Sequence, residues 1–203
     1  MNIRIGVLGG TFNPIHFGHL VAAEEARSAF RLEKVLFMPS GDPPHKRRGN
    51  LLPAEERYLL ALLAVADHPY FVVSRLEMDR KGLTYTTDTL RELRRLYWKT
   101  DFFFIAGLDA ILELNTWKTG KALLRQAHFI AVSRPGYSFA DLAAEFTPAE
   151  RRRILTLEIP GIGISSTGLR ARLKAGRSIR YLTPEPVADY LLRSRAFRAG
   201  AAS

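Results

Sequence analysis

Short apolar runs alternate with amphipathic segments along this chain. The runs cover residues 3–8, 34–38, 70–74, 101–105, 128–132 and 154–158. They are rich in Val, Ile and Phe, and they lack the apolar–polar alternation of a strand with one wet face. Strand-like runs that alternate with helical segments are typical of a parallel α/β sheet whose two faces are both covered.

The segments between these runs carry apolar residues at helical spacing. The longer predicted helices cover residues 20–30, 53–66, 87–97 and 183–193. Thr147, Pro148 and Glu150 form a capping-box pattern with Pro just inside the helix. Thr86 and Thr87 are the candidate caps of the helix that follows them.

The pattern predicts an α/β fold. We expect an open parallel sheet of about five to six strands with helices on both faces. A small helical part is expected to follow from about residue 165. No linker divides the chain, so residues 1–203 are predicted to form one domain. The tail, residues 196–203, lacks an apolar pattern and is expected to be loose.

Composition excludes several classes of protein. Hydrophobic residues make up 47% of the 203 residues, which is enough for an ordinary core and argues against intrinsic disorder. No apolar run reaches the ~20 residues of a membrane helix, and the first residues lack the features of a signal peptide. The chain has no cysteine, which excludes disulfides, cysteine-bound metals and a cysteine nucleophile, and fits a reducing cytoplasm.

Charge points to an anionic partner. The net charge is +10 and the isoelectric point is about 10.2, which suits nucleic acid, an anionic membrane surface or a small phosphorylated substrate. Residues 151–153 and 170–180 motivate the nucleic-acid alternative. Because the cations form no aromatic-interleaved stripe, and residues 151–153 fit a solvated helix end, we expect no nucleic-acid and no membrane partner.

The segment GGTFNPIHFGHL joins the first predicted strand to a helix. Gly9 and Gly10 allow a ligand to approach the backbone closely, and the helix N-terminus attracts anions. His16 and His19 are three residues apart and share a helix face, with Gly18 leaving the backbone beside them bare. Two imidazoles at this place suit a phosphate chain, whereas either alone would fit an ordinary core or surface histidine.

A second strand-to-helix junction carries three hydroxyl residues and an arginine. Ser165, Ser166 and Thr167 supply helix caps and hydrogen-bond donors, and Arg170 lies one turn into the predicted helix. Hydroxyls, helix N–H groups and a guanidinium together favour an anion site. A serine cap beside a solvated arginine is the simpler alternative.

These motifs resemble those of a known family. His16-Phe17-Gly18-His19 resembles the HxGH signature of the nucleotidyltransferase superfamily, and the segment ISSTGLR resembles its ISSTxxR motif. GGTFNPIHFGHL is similar to the opening of bacterial nicotinate-nucleotide adenylyltransferases, which usually have Asp where this chain has Asn13. The resemblance implies a Rossmann-like fold and transfer of a nucleotidyl group from a nucleoside triphosphate.

Middle segments extend the resemblance to nearly the whole chain. Similarity to the family is carried by PPHK, YTTDTL, GLD, a following Trp and RPG. The resemblance implies that His16, His19 and Arg170 are catalytic. It implies that ATP contacts Gly9, Gly10, Thr11, Phe12, Gly18, Asp109, Ser165, Ser166 and Thr167. It implies that the second substrate contacts Asn13, Lys46, Thr86, Trp117 and Arg134.

Simpler interpretations stand beside some of these roles. Lys46 also fits a flexible basic loop, and Trp117 also fits core packing. Asp88, within YTTDTL, is more simply a first-turn helix acid.

The resemblance implies adenylyl transfer from ATP to nicotinate mononucleotide, giving nicotinate adenine dinucleotide and pyrophosphate. Such a transfer needs no protein nucleophile, because the acceptor phosphate is already anionic, so the protein positions groups and stabilises charge. Mg²⁺ would be bound mainly by the triphosphate, and no metal-ligating residues are predicted in the chain. The alternatives are an adenylyltransferase acting on nicotinamide mononucleotide or phosphopantetheine, and a basic nucleic-acid-binding protein. Whether the chain forms a homo-oligomer stays open.

Overall fold

The predicted apolar runs form one parallel sheet in the computed structural model of this chain, which describes residues 2–42, 51–80, 82–83, 85–117, 120–133, 138–194 and 196–197. The strands are β1 Ile3–Gly10, β2 Lys34–Pro39, β3 Phe71–Val73, β4 Thr100–Gly107, β5 His128–Ser133 and β6 Ile154–Glu158. Their order is β3-β2-β1-β4-β5-β6. The strand order therefore reverses between β1 and β4, where ligands bind in open α/β sheets.

Helices connect the strands on both faces of the sheet, as predicted. They are α1 Phe17–Phe30, α2 Ala54–Val65, α3 Thr86–Leu96, α4 Leu108–Leu112, α5 Asp141–Glu145, α6 Pro148–Arg151, α7 Ser166–Lys174 and α8 Glu185–Arg193. Two 3₁₀ turns, Glu113–Thr116 and Gly120–Arg125, follow α4. Among the described residues, none of these helices is long and apolar enough to cross a membrane.

Two helix starts test the predicted caps. The capping box is confirmed: the Thr147 hydroxyl accepts from the Glu150 N–H at 3.3 Å, and the Glu150 carboxylate accepts from the Thr147 N–H at 2.8 Å. The prediction that Thr86 or Thr87 caps α3 is wrong, because both lie inside its first turn and Tyr85 is the cap residue. Thr87 is 4% exposed.

Alternate residues of each central strand pack against opposite faces. One apolar cluster contains Leu8, Phe37, Ile105 and Val132 and is covered by α1, α2, α7 and α8. The other contains Val7, Met38, Phe104 and Ala131 and is covered by α3, α4, the 3₁₀ turns and α5. Burial on both faces explains why the strands carry no polar alternation.

The C-terminal part holds the connection between β1 and α1, here called the β1–α1 loop (residues 11–16). Three consecutive carbonyls of this loop accept hydrogen bonds from distant side chains: Asn13 from Arg170 at 2.8 Å, Pro14 from Ser166 at 2.9 Å and Ile15 from Thr183 at 2.8 Å. These carbonyls lie outside the sheet ladder and the helix, so the side chains supply the pairing that buried backbone groups need.

We expect Thr183→Val to destabilise the fold by about 1–3 kcal/mol, because it leaves the Ile15 carbonyl buried without its donor. Thr183 is 1% exposed, so water cannot readily replace the lost hydroxyl. Urea unfolding followed by circular dichroism measures the change, and Thr183→Ser, which keeps the hydroxyl, is the matched control. A Val variant as stable as the Ser variant would contradict this role for the hydrogen bond.

Candidate active site

A cavity opens at the carboxyl ends of β1, β4 and β5, where the strand order reverses. Its volume is about 400 Å³, within the ~300–1,000 Å³ range of ligand-binding clefts. Five predicted site residues line it: His16, Gly18, His19, Asp109 and Ser165. Its apolar wall includes Leu8, Ile105, Val132, Ile159, Ile162 and Ile164. The cavity thus combines polar groups from both motifs with a surface suited to a flat apolar ring.

The two histidines at the start of α1 form one stacked unit. His16 is the cap residue of the helix, and its ring centroid lies 3.7 Å from that of His19, with the rings 28° from parallel. The His16 backbone N–H donates to Nδ1 of His19 at 3.2 Å. An imidazole nitrogen that accepts carries no proton, so His19 holds its proton on Nε2, which is then a hydrogen-bond donor.

Gly18 makes this histidine pair possible. A Cβ at position 18 would lie 3.0 Å from two atoms of the His16 ring and 3.5 Å from the Ile164 carbonyl oxygen. The bare backbone expected beside the histidines is therefore covered by His16 itself. A larger residue would displace the ring or the segment that precedes α7.

The Phe12 ring packs against the His19 ring. Its ring meets the His19 ring edge-on, with 5.1 Å between centroids, and Phe12 is 2% exposed. It has a φ of 47°, which is uncommon for a bulky residue, and its ring lies 3.0 Å from where a Gly10 Cβ would be.

Gly9 and Gly10 extend β1 and do not line the cavity, nor do Thr11 and Phe12. ATP binding by these four residues stays a prediction.

Several side chains of the second motif form hydrogen bonds with other parts of the protein. Ser165 caps α7 by accepting from the Gly168 N–H at 3.1 Å, and Thr167 accepts from Arg170 at 3.1 Å. Ser166 donates to the β1–α1 loop and, like Thr167 and Arg170, does not line the cavity. Burial lowers the pKa of Arg170 from its ordinary value. Its two hydrogen bonds among the described residues leave three of about five guanidinium N–H donors for a ligand.

The remaining predicted residues are divided between the cavity and other places. Asp109 is exposed, and its carboxylate lies 2.5 Å from where a Cβ on Gly107 would be. Trp117 is half-buried on the face of the sheet opposite α1 and meets Phe104 edge-on at 6.2 Å. Thr86 begins α3, which packs on that same face.

Three predicted substrate residues need separate mention. Asn13 is 3% exposed, and its side-chain oxygen accepts from the Leu52 N–H at 3.1 Å, so the amide at least supports the loop. Lys46 and Arg134 lie outside the described residues. Substrate contacts by all three stay predictions.

Arg57 is a residue that the sequence analysis missed. It is 1% exposed and donates to four backbone carbonyls, those of Thr11, Ser40, Gly41 and Leu52. Burial lowers its pKa from the ordinary value. A signal existed, because Arg57 stands at helical spacing from Leu60, Ala61, Ala64 and Val65, which form the buried face of α2.

Glu77 is a second missed residue. It is 8% exposed and accepts from the Thr89 hydroxyl at 2.7 Å. Burial raises the pKa of Glu77 to about 7, although the Thr89 hydrogen bond and the charge of Arg80 act in the opposite direction. Its carbonyl oxygen lies 2.5 Å from where a Cβ on Gly41 would be. Nothing in the local sequence pattern indicates this pairing.

Comparisons with known proteins identify the family. The cytidylyltransferase-like family model matches residues 7–172. A Moorella thermoacetica protein named probable nicotinate-nucleotide adenylyltransferase is 52% identical over 196 residues, covering 95% of this chain and 90% of the relative. A Thermoanaerobacter sp. protein of the same name is 44% identical over 193 residues, covering 93% and 92%. This chain belongs to the nicotinate-nucleotide adenylyltransferase family.

The fold agrees with this membership. Nicotinic acid mononucleotide adenylyltransferase of Plasmodium falciparum, solved in complex with NaAD, aligns with a TM-score of 0.78 over 96% of this chain and 97% of that one. The two sequences are 18% identical, so the likeness concerns the fold. The resemblance carried by HFGH and ISSTGLR is confirmed, as is the Rossmann-like sheet of the nicotinate-nucleotide adenylyltransferase family.

We expect the stability of the protein to fall as pH rises from about 4.5 to about 7 in part because of Glu77. In this interval the folded chain holds a proton that the unfolded chain, with its Glu pKa near 4.5, has already released. Glu77→Gln removes this contribution, so its Tm should fall less between pH 5 and pH 8.5 in thermal denaturation. Glu55→Gln is the exposed control on α2; equal slopes for wild type and both variants would contradict the prediction.

Proposed function

We propose that this protein transfers the adenylyl group of ATP to nicotinate mononucleotide, giving nicotinate adenine dinucleotide and pyrophosphate. The single observation that carries the proposal is the cavity where the stacked pair of His16 and His19 meets Ser165 and Asp109. The family membership supports the choice of acceptor, because the similar relatives are named for this reaction.

The cavity suits the nucleoside triphosphate. We assign its isoleucine-rich wall to the apolar faces of a purine, and the exposed carboxylate of Asp109 to the ribose hydroxyls, from which it would accept hydrogen bonds. His16, His19 and Ser165 stand at the N-terminal ends of α1 and α7, where N–H groups and the helix dipoles favour phosphate oxygens. The base and the phosphates are thus assigned to different groups of residues in one cleft.

The reaction then needs alignment and charge stabilisation. A phosphate oxygen of the mononucleotide attacks the α-phosphorus of ATP, and the bond to the β-phosphate oxygen breaks to release pyrophosphate. Negative charge grows on the α-phosphate and on the leaving group. The Nε2–H of His19, the hydroxyls of Ser165 and Thr167 and the guanidinium of Arg170 are donors suited to stabilise it.

We place the acceptor on the other face of the sheet. Trp117 packs against the apolar cluster on the face away from α1, and Thr86 lies on α3, which packs against the same cluster. A pyridine ring bound there would send its phosphate over the carboxyl end of β1, where Gly9 and Gly10 carry no side chains. Lys46 and Arg134 complete the proposed acceptor contacts by resemblance alone.

Mg²⁺ belongs to the proposal as a companion of ATP. Within the described residues, no group of three or more His, Cys, Asp or Glu side chains could hold a metal ion. The donors that surround the cavity are N–H and O–H groups, which suit phosphate oxygens, so Mg²⁺ would be held mainly by the triphosphate and water. The ion would neutralise charge on the departing pyrophosphate. A cytoplasmic location also stays a prediction, as does a homo-oligomeric state.

We expect purified protein with ATP, Mg²⁺ and nicotinate mononucleotide to release pyrophosphate, and His19→Ala to lower kcat by about 100-fold or more. A coupled pyrophosphate assay measures both. His68→Ala is the control, since His68 lies between α2 and β3 and does not line the cavity. Wild-type release no faster than that of the His19 variant would overturn the proposal; faster turnover of nicotinamide mononucleotide or phosphopantetheine would reassign the acceptor.

We expect Trp117→Ala to raise KM for nicotinate mononucleotide about 10-fold, because ring stacking contributes on the order of 1–3 kcal/mol. KM for ATP should change little. Trp98→Ala is the matched control, because Trp98 is 82% exposed and lies on the chain between α3 and β4. If Trp117 only packs the core, its variant will lose thermal stability while both KM values stay at those of the wild type.

A further inference from the structure

Arg57 is a charged residue on a helix face whose other buried residues are all apolar. It occupies the core-facing side of α2 and is 1% exposed. Each of its hydrogen bonds given by the structure goes to a backbone carbonyl: Leu52 at 3.1 Å, Thr11 at 2.9 Å, Ser40 at 2.7 Å and Gly41 at 2.9 Å. Burying a charge costs free energy unless hydrogen bonds compensate for it. The role of Arg57 therefore lies in the backbone segments that its hydrogen bonds hold in position.

We propose that Arg57 is a positioning residue for adenylyl transfer, which fixes the β1–α1 loop against the segments that follow β2 and precede α2. The inference rests on the proposed function, because the loop carries His16 and leads into the first turn of α1, which carries His19. Thr11 opens this loop, Ser40 and Gly41 follow β2, and Leu52 precedes α2. One guanidinium therefore joins three chain segments just beyond Gly10 and Pro39, the last paired residues of β1 and β2.

A continuous set of hydrogen bonds connects Arg57 with the second motif. Arg57 donates to the Leu52 carbonyl, and the N–H of Leu52 donates to the Asn13 side chain at 3.1 Å. The Asn13 carbonyl accepts from Arg170 at 2.8 Å. The loop is thus held between two arginines, one on α2 and one on α7.

The contact with Thr11 links Arg57 to the start of the loop, next to Phe12. Thr11 precedes Phe12, whose ring supports the His19 ring edge-on. A shift of the Thr11 carbonyl would move Phe12 and, through it, the stacked histidines. Displacements of about 1 Å at a reacting group can lower rates about 100-fold.

Lysine cannot reproduce this arrangement. Arg57 uses Nε, Nη1 and Nη2 to reach carbonyls from three directions, whereas an ammonium group offers its donors from a single point. A lysine at position 57 keeps the charge and some of the hydrogen bonds. We therefore expect Arg57→Lys to lie between the wild type and Arg57→Met in every measurement.

The test compares Arg57→Met and Arg57→Lys with Leu60→Ala, which removes a fully buried side chain from the same helix. At temperatures where each variant is folded, we expect kcat to fall about 10- to 100-fold in the Met variant. KM for ATP should stay within about 3-fold, because Asp109 and most of the apolar wall belong to other segments. Leu60→Ala should lose Tm while keeping kcat.

A second readout is independent of activity. The ¹⁵N chemical shifts of the His19 imidazole report whether Nδ1 accepts a hydrogen bond and Nε2 carries the proton. We expect these shifts to change in Arg57→Met, to change less in Arg57→Lys, and to stay at wild-type values in Leu60→Ala. Wild-type protein that releases no pyrophosphate refutes the proposed function, and the imidazole shifts then decide the role of Arg57.

Two results would overturn the proposal. Arg57 variants that match Leu60→Ala in kcat per folded molecule and in the His19 shifts would show a purely structural residue. A rise in KM for ATP without a loss of kcat would show that Arg57 acts on the nucleotide cavity rather than on the loop. If Arg57→Met does not fold, Arg57→Lys carries the same comparison.

Discussion

The backbone carbonyls of the β1–α1 loop are the constraint on which the candidate site depends. The loop leaves a strand and enters a helix, so its carbonyls at residues 11 and 13–15 are not paired by either element. Side chains from distant parts of the chain supply the donors: Arg57, Arg170, Ser166 and Thr183. Because those side chains come from α2, α7 and the segment before α8, the loop has a defined shape only when the whole sheet is assembled.

This constraint connects the regular sheet with the irregular β1–α1 loop at the carboxyl ends of the strands. Strands β1, β4 and β5 supply Leu8, Ile105 and Val132 to the apolar wall of the cavity, and these three side chains belong to the core. The groups suited to phosphate stand on the loop and at the start of α7. Loop-borne groups are useful only when their supports are fixed, and the guanidinium groups of Arg57 and Arg170 provide that fixation through the Thr11 and Asn13 carbonyls.

Much of the fold and part of the site could be predicted from the sequence. The unalternating strands follow from burial on both faces, and each of the six apolar runs forms a strand. His16, Gly18, His19, Asp109 and Ser165 meet at one cavity because each follows the carboxyl end of a strand. The cap prediction for α3 was wrong because the helix already begins at Thr86, with Tyr85 as its cap residue. The net charge indicated an anionic ligand but not its size.

By itself, the sequence determined the elements, their parallel arrangement and the two junctions that carry the family motifs, because these follow from periodicity and from short spacings. Only the tertiary structure decided which side chains hold those junctions in shape. Arg57 and Thr11 are 46 residues apart, and Thr183 and Ile15 are 168 residues apart. A hydrogen bond between such partners depends on where the folded sheet brings them, and no local pattern encodes that meeting.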